Sequence, residues 1–347
     1  MRKQFGTVAA VLVLCLSVFA TPSTAAIRYA VTDLGSLDKV SPWAVALNNR
    51  GHVVGYDSQA FYYDGVAHYF LPDWSSSAYD INDNDLIVGW TSPGEAYYYD
   101  TQKHLIDHGL SAYGVNDAGA IVGQDQSGHA FVYDGTMHDL GTFGGDRSSA
   151  RDINNNGQVV GWAQGSDFRS HAFIYDGSLR MIGPPDTDSY GEAINANGDA
   201  VGYFYYSNGY EYYSHAFMYS GGSVLDIGSY VDSPGIGHDA VSSEASGINK
   251  NGDVVGTVLS ATRTYAFMYH GGQVLDLNSL IDPSLGWSLA GAYDINDSGQ
   301  VVGMGINSLG QPHSFLLTPV PEPSGIVSLL GGICGSAGII LKRRRAR

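Results

Sequence analysis

A single phrase recurs seven times along the chain, and a recurrence of that kind leaves few folds open. Its fullest copy runs Ala150-Arg151-Asp152-Ile153-Asn154-Asn155-Asn156-Gly157-Gln158-Val159-Val160-Gly161-Trp162, followed by His171-Ala172-Phe173-Ile174-Tyr175-Asp176-Gly177. The anchoring Asn returns at Asn48, Asn82, Asn116, Asn154, Asn195, Asn249 and Asn296, at steps of 34, 34, 38, 41, 54 and 47 residues. Periods of that size mark repeat architectures.

Within a copy, two turn signals separate short apolar runs. Asn-x-x-Gly, as in Asn154 to Gly157, supplies residues that tolerate positive φ. Asp-Gly, at Asp64-Gly65, Asp134-Gly135 and Asp176-Gly177, marks a hairpin between β-rich runs. Four candidate strands follow: Ala150 to Asn154, Gln158 to Trp162, His171 to Tyr175, and an Asp-Leu-Gly strand such as Met137 to Gly141. Consecutive apolar residues, as in Val159-Val160, fit sheets covered on both faces. The pattern predicts an all-β, seven-bladed propeller of four-stranded antiparallel blades. A β-helix is the main rival, but its rungs need a nearly fixed length, whereas a propeller absorbs length variation in rim loops. The seventh copy lacks a fourth strand after Thr318, and Tyr29-Ala30-Val31-Thr32-Asp33-Leu34-Gly35 supplies the missing phrase at the other end. The N-terminal strand is therefore expected to close the ring beside His313 to Leu317 and remove its open edge.

These phrases resemble the HAF repeat family of bacterial extracellular proteins, named for His-Ala-Phe. That tripeptide stands at His129-Ala130-Phe131, His171-Ala172-Phe173 and His215-Ala216-Phe217. The family's longer phrase is matched by Leu140-Gly141-Thr142-Phe143-Gly144-Gly145. Other copies depart, with Gln59, Glu95 and Tyr265 in the His position and Ser314 in the Ala position. The resemblance covers about Tyr29 to Thr318 and carries over no catalytic residues.

Both ends read as addresses. Residues 1–26 have the basic start (Arg2, Lys3), apolar core (Val8 to Ala20) and small residues of a secretory signal peptide. Cys15 follows Leu14, where a lipoprotein would need a small residue. The repeat domain is placed at 27–319. At 320–347, Pro321-Glu322-Pro323 precedes an apolar stretch, 325–341, of a length at the lower limit for a membrane helix, and then Lys342 to Arg347. That order resembles a PEP-CTERM sorting signal, which implies an exosortase-type processing enzyme as partner in a Gram-negative bacterium. Its implied address is the cell surface or the medium, after export across the inner membrane. An ordinary C-terminal anchor is the plainer reading.

Both cysteines, Cys15 and Cys334, fall in these end segments. Of the 17 basic residues only 10 lie between Ile27 and Val320, against 33 acidic ones, a net charge of −23. Such a surface repels phosphate backbones and argues against nucleic-acid binding.

Four constellations offer chemistry. Asp152, Asn154 and Asn156 with Gly157 have the spacing of the first oxygens of a calcium loop, but Ala163 stands where a bidentate carboxylate is needed. Turn capping is the alternative, and no cofactor is otherwise implied. His129, His171, His215 and His313 are expected to make strand-end hydrogen bonds, since equivalent sites on different blades lie too far apart to share a metal. A long insertion in the fifth copy is rich in tyrosine. Tyr205, Tyr206, Tyr210, Tyr212 and Tyr213, with His238 and Asp239 of a second loop, form the best candidate ligand site. Ordinary hairpin packing is the alternative. Finally, no Gly-x-Ser-x-Gly elbow, His-Glu-x-x-His pair or phosphate loop is present. The expectation is a non-catalytic binding or scaffold module of an extracellular polysaccharide matrix. A propeller glycoside hydrolase or lyase is the alternative. An enzyme should gather carboxylate, His and Tyr near the channel, and a binding module should show aromatics on an open rim.

Overall fold

The computed structural model describes residues 28–35, 43–71, 75–207, 212–231 and 240–320. They form seven four-stranded antiparallel sheets. Six blades take their strands from one stretch of chain each, in simple meander order. The seventh combines Ser288–Ile295, Val301–Ile306 and Pro312–Pro319 with Tyr29–Asp33. The closing strand runs antiparallel to Pro312–Pro319, in a register that sets Tyr29 against Pro319 and Asp33 against Phe315. Tyr29 and Leu34 are buried by this closure.

The first strands of the blades face the axis: Trp43–Leu47, Ser76–Ile81, Gly109–Val115, Gly144–Ile153, Ser189–Ile194, Ala240–Ile248 and Ser288–Ile295. Neighbouring first strands touch one another all round the ring.

The recurring phrases now have physical meanings. Phe61, Tyr97, Phe131, Phe173, Phe217, Phe267 and Phe315, the aromatic of each His-Ala-Phe position, are the largest fully buried side chains. They fill the space toward the preceding blade, as Phe61 does against Val302 and Leu316 and Phe173 against Val122 and Ala130, where truncation would open a cavity. The glycine of each Val-Val-Gly run is required by backbone approach. A Cβ on Gly161 would stand 2.1 Å from the Ser149 carbonyl oxygen, and on Gly55 1.9 Å from that of Trp43. Blades are also stitched by hydroxyls. The Ala130 and Ala172 amides donate to Ser148 Oγ (2.8 Å) and Ser189 Oγ (2.9 Å) of the following blade.

Every first strand carries a bulge at one place, where its register against the second strand slips. The extra residue is Val45, Tyr79, Tyr113, Arg151, Glu192, Ser246 or Tyr293. Bulges re-aim side chains, and these seven sit on the strands that line the channel.

Candidate functional site

One end of the channel is built by the Asn-x-x-Gly turns. Each anchoring Asn uses its Oδ1 within its own turn; Asn154 Oδ1 accepts from the amides of Asn156 and Gln158, both at 3.0 Å. Its Nδ2 leaves the blade. Asn48 donates to the carbonyl of Asn82 (3.0 Å), Asn82 to Asn116 (2.8 Å) and Asn116 to Asn154 (3.2 Å). Asn154 donates to Asn195 (2.9 Å), Asn195 to Asn249 (3.0 Å) and Asn249 to Asn296 (3.4 Å). Asn296 returns to Asn48 at 3.0 Å, so the seven amides form a closed circle. All seven side chains are buried, and a buried amide must be partnered or it costs stability.

Just inside this circle lies a cavity of about 200 Å³. Asp80, Asp152 and Asp294 line it. Each carboxylate accepts from the amide of the next residue and from an amide of the next blade. The cross-blade donors are Val115 to Asp80 (2.8 Å), Ile194 to Asp152 (2.8 Å) and Leu47 to Asp294 (3.0 Å). Small residues make room for this. A Cβ on Gly114 would come within 2.9 Å of the Asp152 Cα, and on Gly247 within 2.9 Å of the Asp294 Cα. Acidic and small residues therefore alternate from blade to blade, and in a ring of seven the alternation must fail once, at Ala193 and Gly247.

The calcium spacing at Asp152, Asn154 and Asn156 is explained here. Asp152 Oδ1 and Oδ2 face the Ile153 and Ile194 amides, Asn154 Oδ1 faces its own turn, and Asn156 Nδ2 donates to Ala196 O at 2.9 Å. All three side chains thus take part in turn capping or blade stitching. Among the described residues, no group of three His, Cys, Asp or Glu side chains gathers to hold a metal. Removal from water pushes Asp294 up to about 7 and Asp152 up to about 6. Asp80 is raised well above the carboxylate range by the same cause, reinforced by the charge of Asp152.

Farther along the same strands the bulge residues meet across blade boundaries. Tyr79 and Tyr113 have ring centroids 5.4 Å apart, the Arg151 guanidinium lies 4.6 Å over the Tyr113 ring, and Arg151 Nε is 3.9 Å from Glu192. Tyr190 stacks on Tyr203 at 5.2 Å, and Trp162 meets Tyr190 edge-on at 5.8 Å. Glu192 is 26% accessible yet walled by protein, and that wall pushes its carboxyl up against the opposing pull of Arg151. Glu244 touches solvent in the same mouth and is also raised by its surroundings. Both charges bear on the Tyr203 hydroxyl, whose ionisation is suppressed mainly by burial.

This aromatic run continues outward into the fifth blade. Tyr205 contacts Tyr190 (6.1 Å) and Tyr203 (5.7 Å), and its other side faces a groove of about 570 Å³. Phe204, Tyr206 and Arg169 also line that groove. Tyr206 packs 4.2 Å from His215 and 5.5 Å from Tyr213. Tyr205, Tyr206 and Tyr213 are all half-buried. The structure thus brings three of the five expected tyrosines together. Tyr210, the side chain of Tyr212, His238 and Asp239 lie outside the described residues.

The strand-end histidines pair with the Asp of the fourth strand. His129 Nδ1 lies 2.9 Å from Asp139, His215 Nδ1 3.1 Å from Asp226 and His313 Nδ1 2.8 Å from Asp33. The hydrogen bond to Asp139 raises His129. In the fourth blade Met181 replaces the Asp, and His171 turns to Asp167 at 3.2 Å. In the sixth, Arg263 takes the histidine's part with Asp276 at 2.7 Å.

Arg151, Glu192, Glu244, Tyr190 and Tyr203 were not singled out from sequence. The available signal was the third position before each anchoring Asn. It changes chemistry from copy to copy while the residue before it stays Ala or Gly, and it marks Arg151 and Glu192.

Among the described residues no helix is long and apolar enough to cross a membrane. The apolar stretch 325–341 and the Pro321-Glu322-Pro323 phrase lie outside them.

A family model described as a protein of unknown function (DUF3466) matches residues 74–182, which run from the start of the second blade to the end of the fourth. No curated protein matches the chain in sequence. Among solved structures, the chain is similar to the β-propeller domain of the Trilobed protease from Pyrococcus furiosus. The TM-score is 0.50 at 12% identity, over 81% of this chain and 94% of that one. That domain is described as having an open velcro topology, whereas here the strand Tyr29–Asp33 pairs with Pro312–Pro319. At that identity the likeness speaks for the propeller fold alone.

Proposed function

We propose that the protein is an exported, non-catalytic binding module of an extracellular polysaccharide matrix. The observation that carries the proposal is the run of touching aromatic rings from the channel mouth, Trp162, Tyr190, Tyr203 and Tyr205, which ends at the open groove that Tyr205 lines together with Tyr206 in the fifth blade. Aromatic faces pack against the apolar faces of sugar rings, and neighbouring carboxylates, Arg and tyrosine hydroxyls accept or donate to their hydroxyls. Signal peptide, sorting signal, exosortase-type processing and a Gram-negative surface address complete the proposal, on the residues at 1–26 and 320–347. A glycan-array screen of the purified full chain tests it, with Tyr205→Ala/Tyr206→Ala as control. Binding that survives the double substitution would remove the groove from the proposal. Mass spectrometry of protein from its host tests processing, and intact Lys342 to Arg347 peptides in exported material would exclude it.

A second reading is kept because Glu192 and Glu244 sit beside Tyr203 with carboxyls raised above their usual range. That is the chemistry of a glycan hydrolase or lyase. Of the enzyme criterion, the mouth meets carboxylate and Tyr. Product release from a polysaccharide panel, abolished by Glu192→Gln or Glu244→Gln, would favour this reading over the first.

A further inference from the structure

The first two blades break the repeat in three places, and all three breaks meet in one inter-blade cavity. Six of the seven Asn-x-x-Gly turns end in glycine at φ of 77–82°, from Gly51 to Gly299. The second blade instead has Asp85, held at φ 61°. A β-carbon in this left-handed region is disfavoured, so an aspartate kept there points to a use for its side chain. The carboxylate is fixed from the neighbouring blade. Oδ1 accepts from Asn48 Nδ2 at 3.0 Å and meets His52 Nδ1 at 2.8 Å, and Oδ2 forms an ion pair with Arg50. The same His52 nitrogen lies 2.7 Å from the Tyr62 hydroxyl.

The second break is one extra residue at the end of the first blade's fourth strand. In the third blade, Asp139 pairs with Phe131 and the next residue, Leu140, is buried. In the first blade, Tyr69 pairs with Phe61, but the buried leucine is Leu71, two residues on. Phe70 is left between them, half-buried, with its ring 4.9 Å from Tyr99 of the second blade. The third break is Tyr62 itself. Its register position holds Tyr98 in the second blade but Val132, Ile174, Met218, Met268 and Leu316 in blades three to seven.

Together these residues wall a cavity of about 380 Å³, with Tyr62, Phe70 and Tyr99 as aromatic faces and Asn84, Asp85 and Asp100 as polar points. We infer that this cavity is a second sugar site, taking a single uncharged hexopyranose unit. Three aromatic faces suit the C–H face of such a ring, and fixed carboxylate and amide groups suit its hydroxyls. Anionic sugars meet the carboxylate of Asp100 at the wall. A cationic sugar finds Asp85 already neutralised by Arg50 and Asp100 already bound to His104 at 3.1 Å. The inference rests on the reading of the protein as a glycan-binding module, but on a different groove from that of the fifth blade.

The test is saturation-transfer NMR on the full chain with methyl glucoside, methyl galactoside and methyl mannoside, beside glucuronate and glucosamine. At least one neutral glycoside should receive transfer, and the charged sugars should not. Asp85→Gly restores the residue of the other six turns, so it should fold at least as well as the parent chain. It should nonetheless weaken the neutral sugar at least fivefold, as should Tyr99→Ala. Tyr205→Ala/Tyr206→Ala should leave this binding unchanged. Full affinity in Asp85→Gly overturns the site, as does preference for a charged sugar. Loss of binding in the Tyr205/Tyr206 variant alone assigns all recognition to the fifth blade and overturns this site only. No transfer to any sugar overturns both.

Discussion

The two ends of the channel are made from the same seven strands and obey opposite rules. At the turn end, one residue type fills all seven positions, because each Asn must complete its own turn and also reach the next blade's carbonyl. A single substitution there breaks a circle. Three residues earlier, the bulge positions hold Val, Tyr, Tyr, Arg, Glu, Ser and Tyr. Nothing in blade assembly fixes their identity, since the bulge lifts the residue out of the pairing. The repeat is therefore strict where it builds the ring and free where it faces solvent. The search for function belongs to the free positions and to the breaks in the strict ones.

The largest test of that contrast removes the closing strand. Deleting residues 28–35 strips the buried Tyr29 and Leu34 from the seventh blade and bares the edge of Pro312–Pro319. Large buried side chains stand for roughly 2–5 kcal/mol each, and an open edge invites association. The truncated protein should aggregate on size-exclusion chromatography and melt well below the parent. An unchanged melting temperature would show that closure is dispensable.

Next in size is a pair of substitutions at adjacent positions of the fourth blade. Gly161→Ala drives a methyl against the Ser149 carbonyl, and should cost about 3 kcal/mol or more as backbone is forced apart. Arg151→Ala removes a half-buried bulge residue, and should stay within about 1 kcal/mol. Chemical denaturation measures both. Equal losses would erase the distinction between strict and free positions.

These positions also show what could be read from sequence. Asn48 to Asn296, the Phe or Tyr buried in each blade and the displaced phrase Tyr29 to Gly35 recur in the chain, so period and closure were legible from residues alone. The channel mouth was not. A bulge shifts the in-and-out alternation by one residue, so Arg151 and Glu192 read as ordinary strand positions until the register against the second strand is known. Asp152 needed the geometry for a related reason. Its spacing to Asn154 suits a cation, while the Ile194 amide that donates to it lies 42 residues away across a blade boundary. Asp85 was legible as a missing glycine. Its meaning needed the geometry that sets Arg50, His52 and Phe70 around it.

A third prediction concerns the carboxyl trio. Asp152 and Asp294 hold their protons more tightly folded, at about 6 and about 7, than in an unfolded chain, where a carboxyl titrates near 4. A folded value above the unfolded one favours the protonated native state. The associated stability is thus fully present below about pH 4 and is lost as pH rises toward 7. Because the cavity's solvent screens these half-buried groups, the swing from this source should be about 1–2 kcal/mol. Asp152→Asn/Asp294→Asn should make the fall shallower, the remainder coming from Asp80, Glu192 and Glu244, whose carboxyls are also raised. A slope undiminished by the double substitution would place its origin elsewhere in the ring.

The smallest expected effect on stability is the most telling for function. Tyr205 and Tyr206 stand on a strand that extends past what a blade needs, and both are half-buried and line the groove. Their neighbours, Tyr190, Tyr203 and His215, are held by the fold without them. Replacing both with Ala should therefore cost no more than about 1 kcal/mol, as surface changes do. It should cost far more in glycan affinity, since an aromatic face is worth roughly 0.5–1.5 kcal/mol beyond the area it covers. Two rings would then account for a fall of several-fold to a hundredfold. A loss of stability near 3–5 kcal/mol, the value for a buried aromatic, would reverse the conclusion. It would make the fifth blade's extension part of the strict scaffold, and leave the channel mouth and the cavity between the first two blades as the free surfaces of the ring.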